Sequence, residues 1–312
     1  VPIDWVFVTR RKLVETASLG GTEQAVFGLS AALAASGDRV RLMHGELGKA
    51  AVAGADRVVA INDATLLSAG GVARNFVWFH NEVELLRETR RGRMGALLRR
   101  RPMAVFIGRE QERLASRLFP FAGRAVIPYG LNARVLAAQV ADSPPGPHAI
   151  FTSQAYRGLR EVMDMWRRQV APAAPGARFT AFIADGDVAK FAALATAPGM
   201  IVRGRVPNDA VLENLRGARV WLAPGHRSET FCMAAAEAVA MGVPIVTLGL
   251  GSLAERVRDG VDGFVCRDFG EMAARTRTLL TNDGVWQRMH DAGVAGRAGR
   301  SWAAAAAAWQ SL

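Results

Sequence analysis

Residues 221–246 read "WLAPGHRSETFCMAAAEAVAMGVPIV". An apolar run ends at Ala223, Pro224 and Gly225 interrupt it, an alanine-rich segment follows, and Gly242 and Pro244 lead into a second β-branched run. Strand, turn, helix, turn and strand in that order is the unit of a parallel sheet, because two parallel strands need a crossover that a helix supplies. The helix is expected to begin near Glu229 or Thr230, which puts Glu229 in its first turn and Glu237 two turns further on. Glu237 stands out, since a carboxylate within an apolar helix is costly to bury without a partner. The residues alone leave two readings open. In one, Glu229 is a helix-start carboxylate and Glu237 a solvated side chain. In the other, the pair grips a polar ligand, and Glu237, an acceptor with two oxygens, takes both hydrogens of a vicinal diol.

Working outward, the same alternation fills the chain. β-branched runs at residues 5–8, 40–43, 57–61, 75–79, 104–107 and 125–127 predict six strands in the first half, with helical patterns between them. A second series is predicted at 149–151, 178–183, 200–203, 220–223, 244–247 and 263–265. Between them lies "QVADSPPGPHA", residues 139–149, where Pro144, Pro145, Gly146 and Pro147 exclude both helix and central strand. The expected organisation is an α/β first domain over residues 1–143, a second over 144–300, and a helix at 301–312 with Ser301 as its N-cap and Trp302 and Trp309 on one face. Two Rossmann-like halves of this kind are expected to face a cleft and to bind ligands at the carboxyl ends of their strands.

Composition narrows the classes. The 312 residues are long enough for two domains, and half of them are apolar. Two cysteines, Cys232 and Cys266, with no CxxC or His/Cys cluster, signal neither a disulfide framework nor a zinc site. The first residues lack the marks of a signal peptide, and the longest uncharged run, 238–254, is broken by Pro244 and three glycines. A cytoplasmic chain without a membrane span is expected. The net charge of +11 points to an anionic partner. Arg87, Arg90, Arg91, Arg93, Arg99, Arg100 and Arg101 crowd between residues 87 and 101, interleaved with leucines and Met94, and fit either a solvated basic face or peripheral contact with an anionic membrane. No aromatic residue interrupts that cluster, which argues against nucleic acid.

Several further residues are positioned for anion or sugar chemistry. Gly20 and Gly21 precede an apolar-spaced helix, whose first amides suit an anion, although a plain structural turn fits as well. Arg157, in "TSQAYRGLREV" after the first strand of the second half, is the best candidate for a bidentate phosphate contact. His80 ends a strand in "VWFHNEVE".

The segment from residue 204 to 266, with its E-x7-E pair at Glu229 and Glu237, the "GVP" turn and the "DGVDGF" loop, closely resembles the donor domain of retaining GT-B glycosyltransferases of family four. "GGTEQAVFGLSAALAASGDRV" is similar to that family's first glycine-rich loop and helix, "VIPYGLN" to its interdomain segment, and "SWAAAAAAWQSL" to its final helix, which crosses back onto the first domain. The resemblance implies a metal-independent retaining transferase, without a cofactor, that moves a sugar from a UDP- or GDP-sugar to a saccharide or lipid-linked acceptor at the cytoplasmic membrane face, in envelope saccharide synthesis. Glu237 would hold the donor ribose, Glu229 would contact the hexose as a catalytic group, and His80 would stand near the acceptor. Arg157 would take the place of a phosphate-binding lysine. That lysine's partner arginine has no counterpart, because the register offers Thr152, Ser153 or Gln154; Ser153 is kept as a candidate. Thr230, Phe231 and Cys232 would approach the phosphate, and the turn at residues 203–206, with Arg205 and Val206, the base. The alternatives are a GT-B epimerase, a phosphorylase, for which none of Lys12, Lys49 and Lys190 has the setting, or a basic nucleotide- or nucleic-acid-binding protein without turnover.

Overall fold

The structure, a computed structural model, describes residues 1–13, 21–45, 52–67 and 74–312. Gly20 and Lys49 fall outside the described residues. The chain divides into two units, the first made of Val1–Asn132 with Arg300–Leu312, the second of Ala133–Gly299.

In the first unit six strands, β1 (Asp4–Thr9), β2 (Arg39–His44), β3 (Arg57–Ile61), β4 (Arg74–Phe79), β5 (Met103–Phe106) and β6 (Gly123–Val126), form one parallel sheet in the order β2-β1-β3-β4-β5-β6. In the second, β7 (His148–Phe151), β8 (Arg178–Phe182), β9 (Met200–Arg203), β10 (Val220–Leu222), β11 (Ile245–Thr247) and β12 (Gly263–Val265) form another, in the order β12-β11-β10-β7-β8-β9. Every predicted strand is present within two residues at each end. The continuous apolar runs explain it: strands such as "DWVFVT" and "HAIF" are covered on both faces by helices, so their side chains are buried on both sides. The edge strand β2, "RVRLMH", instead mixes exposed and partly buried residues and carries two arginines, which protects a free edge from pairing.

The first unit's sheet is closed on one face by the terminal helix Trp302–Gln310. The Ser301 hydroxyl caps it, accepting from the Ala304 amide at 3.1 Å. Trp309 is fully buried, with ring centroids 5.3 Å from Trp78, 5.9 Å from Phe76 and 6.2 Å from Trp5. Arg57 donates to the Trp309 carbonyl at 3.1 Å and so satisfies an orphan acceptor of the helix end.

The division between units falls at Asn132 and Ala133, upstream of the boundary expected after residue 143. The cause is local. Arg297 donates to the carbonyls of Val135 and Ala138, which ties the short helix Ala133–Ala137 to the second unit. The proline-rich run is also held there: the Pro147 carbonyl accepts from the Arg178 amide at 2.9 Å, and Arg219 donates to the Pro145 carbonyl. The prolines therefore lead into β7 from within the second unit.

Candidate functional site

In the second sheet β7 and β10 are neighbours although the chain visits β8 and β9 between them. The connections after β7 and β10 thus leave in opposite directions and open a crevice at the carboxyl ends of the strands, where an open α/β sheet binds ligands. Three loops meet there. Gly158 (φ 94°), after β7, lies against Pro224, after β10, and a side chain at Gly158 would collide with that ring. Gly251 (φ 63°), after β11, lies against the carbonyls of His226 and Glu229, so no β-carbon fits there either. The Ser252 amide donates to the Glu229 carbonyl at 2.9 Å and fastens the third loop to the second.

Arg157 and Glu229 face each other across this junction. The Arg157 guanidinium donates to one Glu229 oxygen, and the other accepts from the Cys232 amide at 3.2 Å. The Glu229 side chain is only 11% exposed, so the pair is poorly screened by water. Arg157 also lies beside the exposed Tyr156 ring, 5.6 Å from its centroid, and its Nε is buried without a partner among the described residues. A buried donor left over in an otherwise paired cluster marks a place where a ligand acceptor fits.

The helix after β10 spans Met233–Ala240, so it begins later than the expected start at Glu229 or Thr230. Cys232 adopts a left-handed conformation (φ 62°), which helical backbone excludes, and Glu229 spends its carboxylate on the Cys232 amide rather than on the first turn. The two carboxylates therefore do not share a helix. Glu229 belongs to the loop, and Glu237 sits just over one turn into the helix rather than two.

Glu237 keeps some solvent exposure although it stands in an alanine-rich helix. Burial pushes its carboxyl up to about 7, with the Arg134 charge acting the other way. A half-desolvated carboxylate of this kind is a strong acceptor in wait of donors.

Of the other candidates, Phe231 is buried and Thr230 partly so, both between Glu229 and the helix. Burial and the adjacent Glu229 charge push the Cys232 thiol up to about 12, which leaves it protonated and unreactive as a nucleophile. Ser153 is partly exposed in the Arg157 loop, where Thr152 accepts from the Trp221 indole at 2.8 Å. Arg205 and Val206 follow β9, two strands from β7 and so about 10 Å along the same edge at the usual strand spacing. The Arg205 amide donates to Asp185 at 3.0 Å, which shapes the turn.

The first unit holds the remaining candidates. Gly21 opens the helix Gly21–Ala35 with free space where a side chain would stand. His80 is buried, 4.3 Å from the Trp78 ring, and burial pushes it down to about 3. It is therefore neutral, and its Nδ1 shares a hydrogen bond with the hydroxyl of Tyr129, whose own ionisation burial pushes up. In the arginine-rich stretch the structure separates one member from the rest: Arg93 turns inward, 3.1 Å from Glu88 and 3.2 Å from Asp63, and donates to the Asn62 carbonyl. Arg87, Arg90, Arg91, Arg99 and Arg101 are exposed, beside the exposed Leu86 and Leu98, whereas Leu97 is fully buried. Among the described residues no helix is long and apolar enough to cross a membrane.

With Arg157 and Glu229 paired across the switch point and Glu237 on the helix that follows, the comparison with known proteins becomes specific. Residues 146–282 match the family model described as Glycosyl transferases group 1. The matched stretch runs from the start of β7 to the helix Phe269–Thr281 and so takes in the whole second sheet. A D-inositol 3-phosphate glycosyltransferase of Thermobifida fusca is 34% identical over 98 residues, 31% of this chain and 22% of that protein. A glycogen synthase of Mycobacterium tuberculosis is 36% identical over 87 residues, 27% of this chain and 21% of that one. The chain thus matches about a fifth of the length of these curated relatives. Two solved structures share the fold along its whole length: a sucrose-phosphate synthase from Thermosynechococcus elongatus (TM-score 0.72, 14% identity, 99% of this chain and 98% of that one) and Anabaena HepE in complex with UDP (TM-score 0.72, 14% identity, 99% and 100%). The fold class is α/β, with the two Rossmann-like sheets of the GT-B glycosyltransferases.

Proposed function

We propose that the protein is a nucleotide-sugar-dependent glycosyltransferase whose donor site is the carboxyl edge of the second sheet. The observations that support this are a partly buried cation with a spare donor, Arg157, at the switch point, and a desolvated carboxylate, Glu237, on the helix that follows β10, both within the stretch that matches the transferase family. Glu237 accepts both hydroxyls of the ribose. Arg157 and the amides at the start of the helix Met233–Ala240 take the diphosphate. The base lies towards Arg205 and Val206 at β9. A UDP-sugar is the favoured donor, in keeping with the UDP that Anabaena HepE holds, and a GDP-sugar the second.

Glu229 meets the transferred sugar beside the bond that breaks. The reaction retains the anomeric configuration, and the leaving phosphate assists removal of the acceptor proton. His80, neutral, serves the acceptor side as a hydrogen-bonding group rather than as a proton carrier. The acceptor is a saccharide or a lipid-linked sugar, and the exposed arginines with Leu86 and Leu98 rest on an anionic bilayer surface.

The test is a panel of nucleotide sugars followed by thermal melting and by release of nucleoside diphosphate in the presence of saccharide acceptors. One donor should raise the melting temperature and be consumed with net retention. Stabilisation by none of them, with salt-sensitive binding of duplex DNA instead, would favour a binding protein without turnover.

A further inference from the structure

The loop after β7 offers Thr152, Ser153 and Gln154 ahead of Arg157, so it brings one cation, not two, to a diphosphate that carries two charges. The third loop of the crevice supplies another. Arg256 ends the short helix Leu253–Arg256 after β11, and its side chain is only 12% exposed. Its guanidinium carbon lies 4.4 Å from the centroid of the Phe231 ring. Phe231 is itself buried between Glu229 and Cys232, so Arg256 approaches the start of the helix Met233–Ala240 from the side opposite β7. Two contacts hold the loop in place: the Ser252 amide on the Glu229 carbonyl, and Gly251 pressed against His226 and Glu229. The Cys232 thiol feels both arginines: burial and the Glu229 charge push it up, while the Ala235 backbone and the Arg157 and Arg256 charges pull it down. The Ser252 hydroxyl, fully buried, has no partner among the described residues.

The geometry points to Arg256 as the second phosphate-binding cation of the donor site, replacing from the loop after β11 the one missing from the loop after β7; this rests on the reading of that crevice as a nucleotide-sugar site. Phe231 acts as the shelf for the guanidinium, whose planar face suits an aromatic ring while its N–H edge remains directed by that plane. Each arginine also lies near one carboxylate, Arg157 near Glu229 and Arg256 3.6 Å from Glu255, so two cations together are needed to meet the charge of a diphosphate. The second arginine matters most as the sugar leaves, because the diphosphate then gains a further charge.

Isothermal titration of UDP, GDP and ADP, and of the matching nucleosides, into the full chain tests this with Arg256→Met and Arg256→Lys. Arg256→Met should weaken the preferred nucleoside diphosphate about 10- to 100-fold, the scale of a charge-assisted hydrogen bond, and flatten the dependence of Kd on salt. It should leave the nucleoside unaffected, and Arg256→Lys should recover part of the loss. In turnover, kcat should fall more than the donor KM rises. Diphosphate affinity unchanged in Arg256→Met would overturn the assignment, as would an equal loss for the nucleoside, which would make Arg256 a packing partner of Phe231. If the wild-type chain bound none of the diphosphates, the donor-site reading itself would fall, and Arg256 with it.

Discussion

The two units solve the same topological problem with similar parts and different consequences. In each, an arginine after the first strand reaches a carboxylate from the loop of the strand across the switch point: Arg10 and Asp63 between β1 and β3, Arg157 and Glu229 between β7 and β10. Asp63 is 1% exposed and saturated. It takes Arg10 and Arg93, the Thr65 hydroxyl at 2.7 Å and the Thr65 amide at 3.1 Å. Glu229 has one cation and one amide, and beside it remain a spare Arg157 N–H and an unpaired Ser252 hydroxyl. Both networks leave one arginine Nε without a partner among the described residues, Arg93 in the first and Arg157 in the second; in the second the Ser252 hydroxyl is unpaired as well, and that more open network is the candidate site. The difference lies in what surrounds the ion pair rather than in the pair.

That contrast is open to mutation, and the largest effects should come from the carboxylates. Asp63→Ala should destabilise the first unit by about 3 kcal/mol, the low end for breaking a buried pair because Arg10 still reaches water. Urea unfolding is the measurement, and no change in diphosphate affinity is expected. Glu229→Ala should do the reverse: turnover falls roughly 10²- to 10³-fold, while nucleoside diphosphate binds as well or better, since Arg157 is freed. If Glu229→Ala only destabilised, the two networks would be of one kind.

Glu237→Gln comes next, weakening donor binding about 10- to 100-fold by replacing a charge-assisted bond with a neutral one. Its pH dependence is distinctive. The folded-state carboxyl titrates near 7, above its usual 4.5, so it is largely protonated at pH 6 and ionised at pH 8. Nucleotide-sugar affinity should therefore rise with pH through about 7 and level off above, and the step should vanish in Glu237→Gln. Stability runs the opposite way. A raised carboxyl favours the folded state while protonated, so this contribution is full below 4.5 and lost as pH rises through 7. Glu237→Gln should raise the melting temperature at pH 8 and leave it little changed at pH 4.5. The smallest expected effect is at the surface: Arg90→Ser and Arg99→Ser should each cost about fivefold in binding to anionic vesicles, without altering diphosphate affinity. Arg93→Ser, by contrast, should lower stability.

Much of this was legible in the chain. Both sheets follow from runs buried on both faces, and the Pro-Gly and "GVP" breaks set their ends. The terminal helix announced its docking through Trp302 and Trp309. Where local pattern misled, tertiary contacts are the reason. "ETFCMAAAE" has helical composition, but Glu229 is taken by Arg157, 72 positions earlier, and the chain turns left-handed at Cys232 before the helix starts. Arg93 looks like one of seven surface arginines until Asp63 and Glu88 claim it. The prolines suggest a boundary, while Arg297, far along the sequence, decides where the second unit begins. Arg256 gave no signal at all, since its contact with Phe231 spans loops after two different strands.

The central claim is that the second unit's crevice is the donor site. Hydrogen exchange on the full chain, with and without a saturating nucleoside diphosphate, tests it most directly. The account expects protection in residues 152–158, 226–237 and 249–256, with the first unit's loops at 10–13 and 62–67 unchanged. Protection confined to those first-unit loops, or spread along the arginine stretch at 87–101, would contradict it.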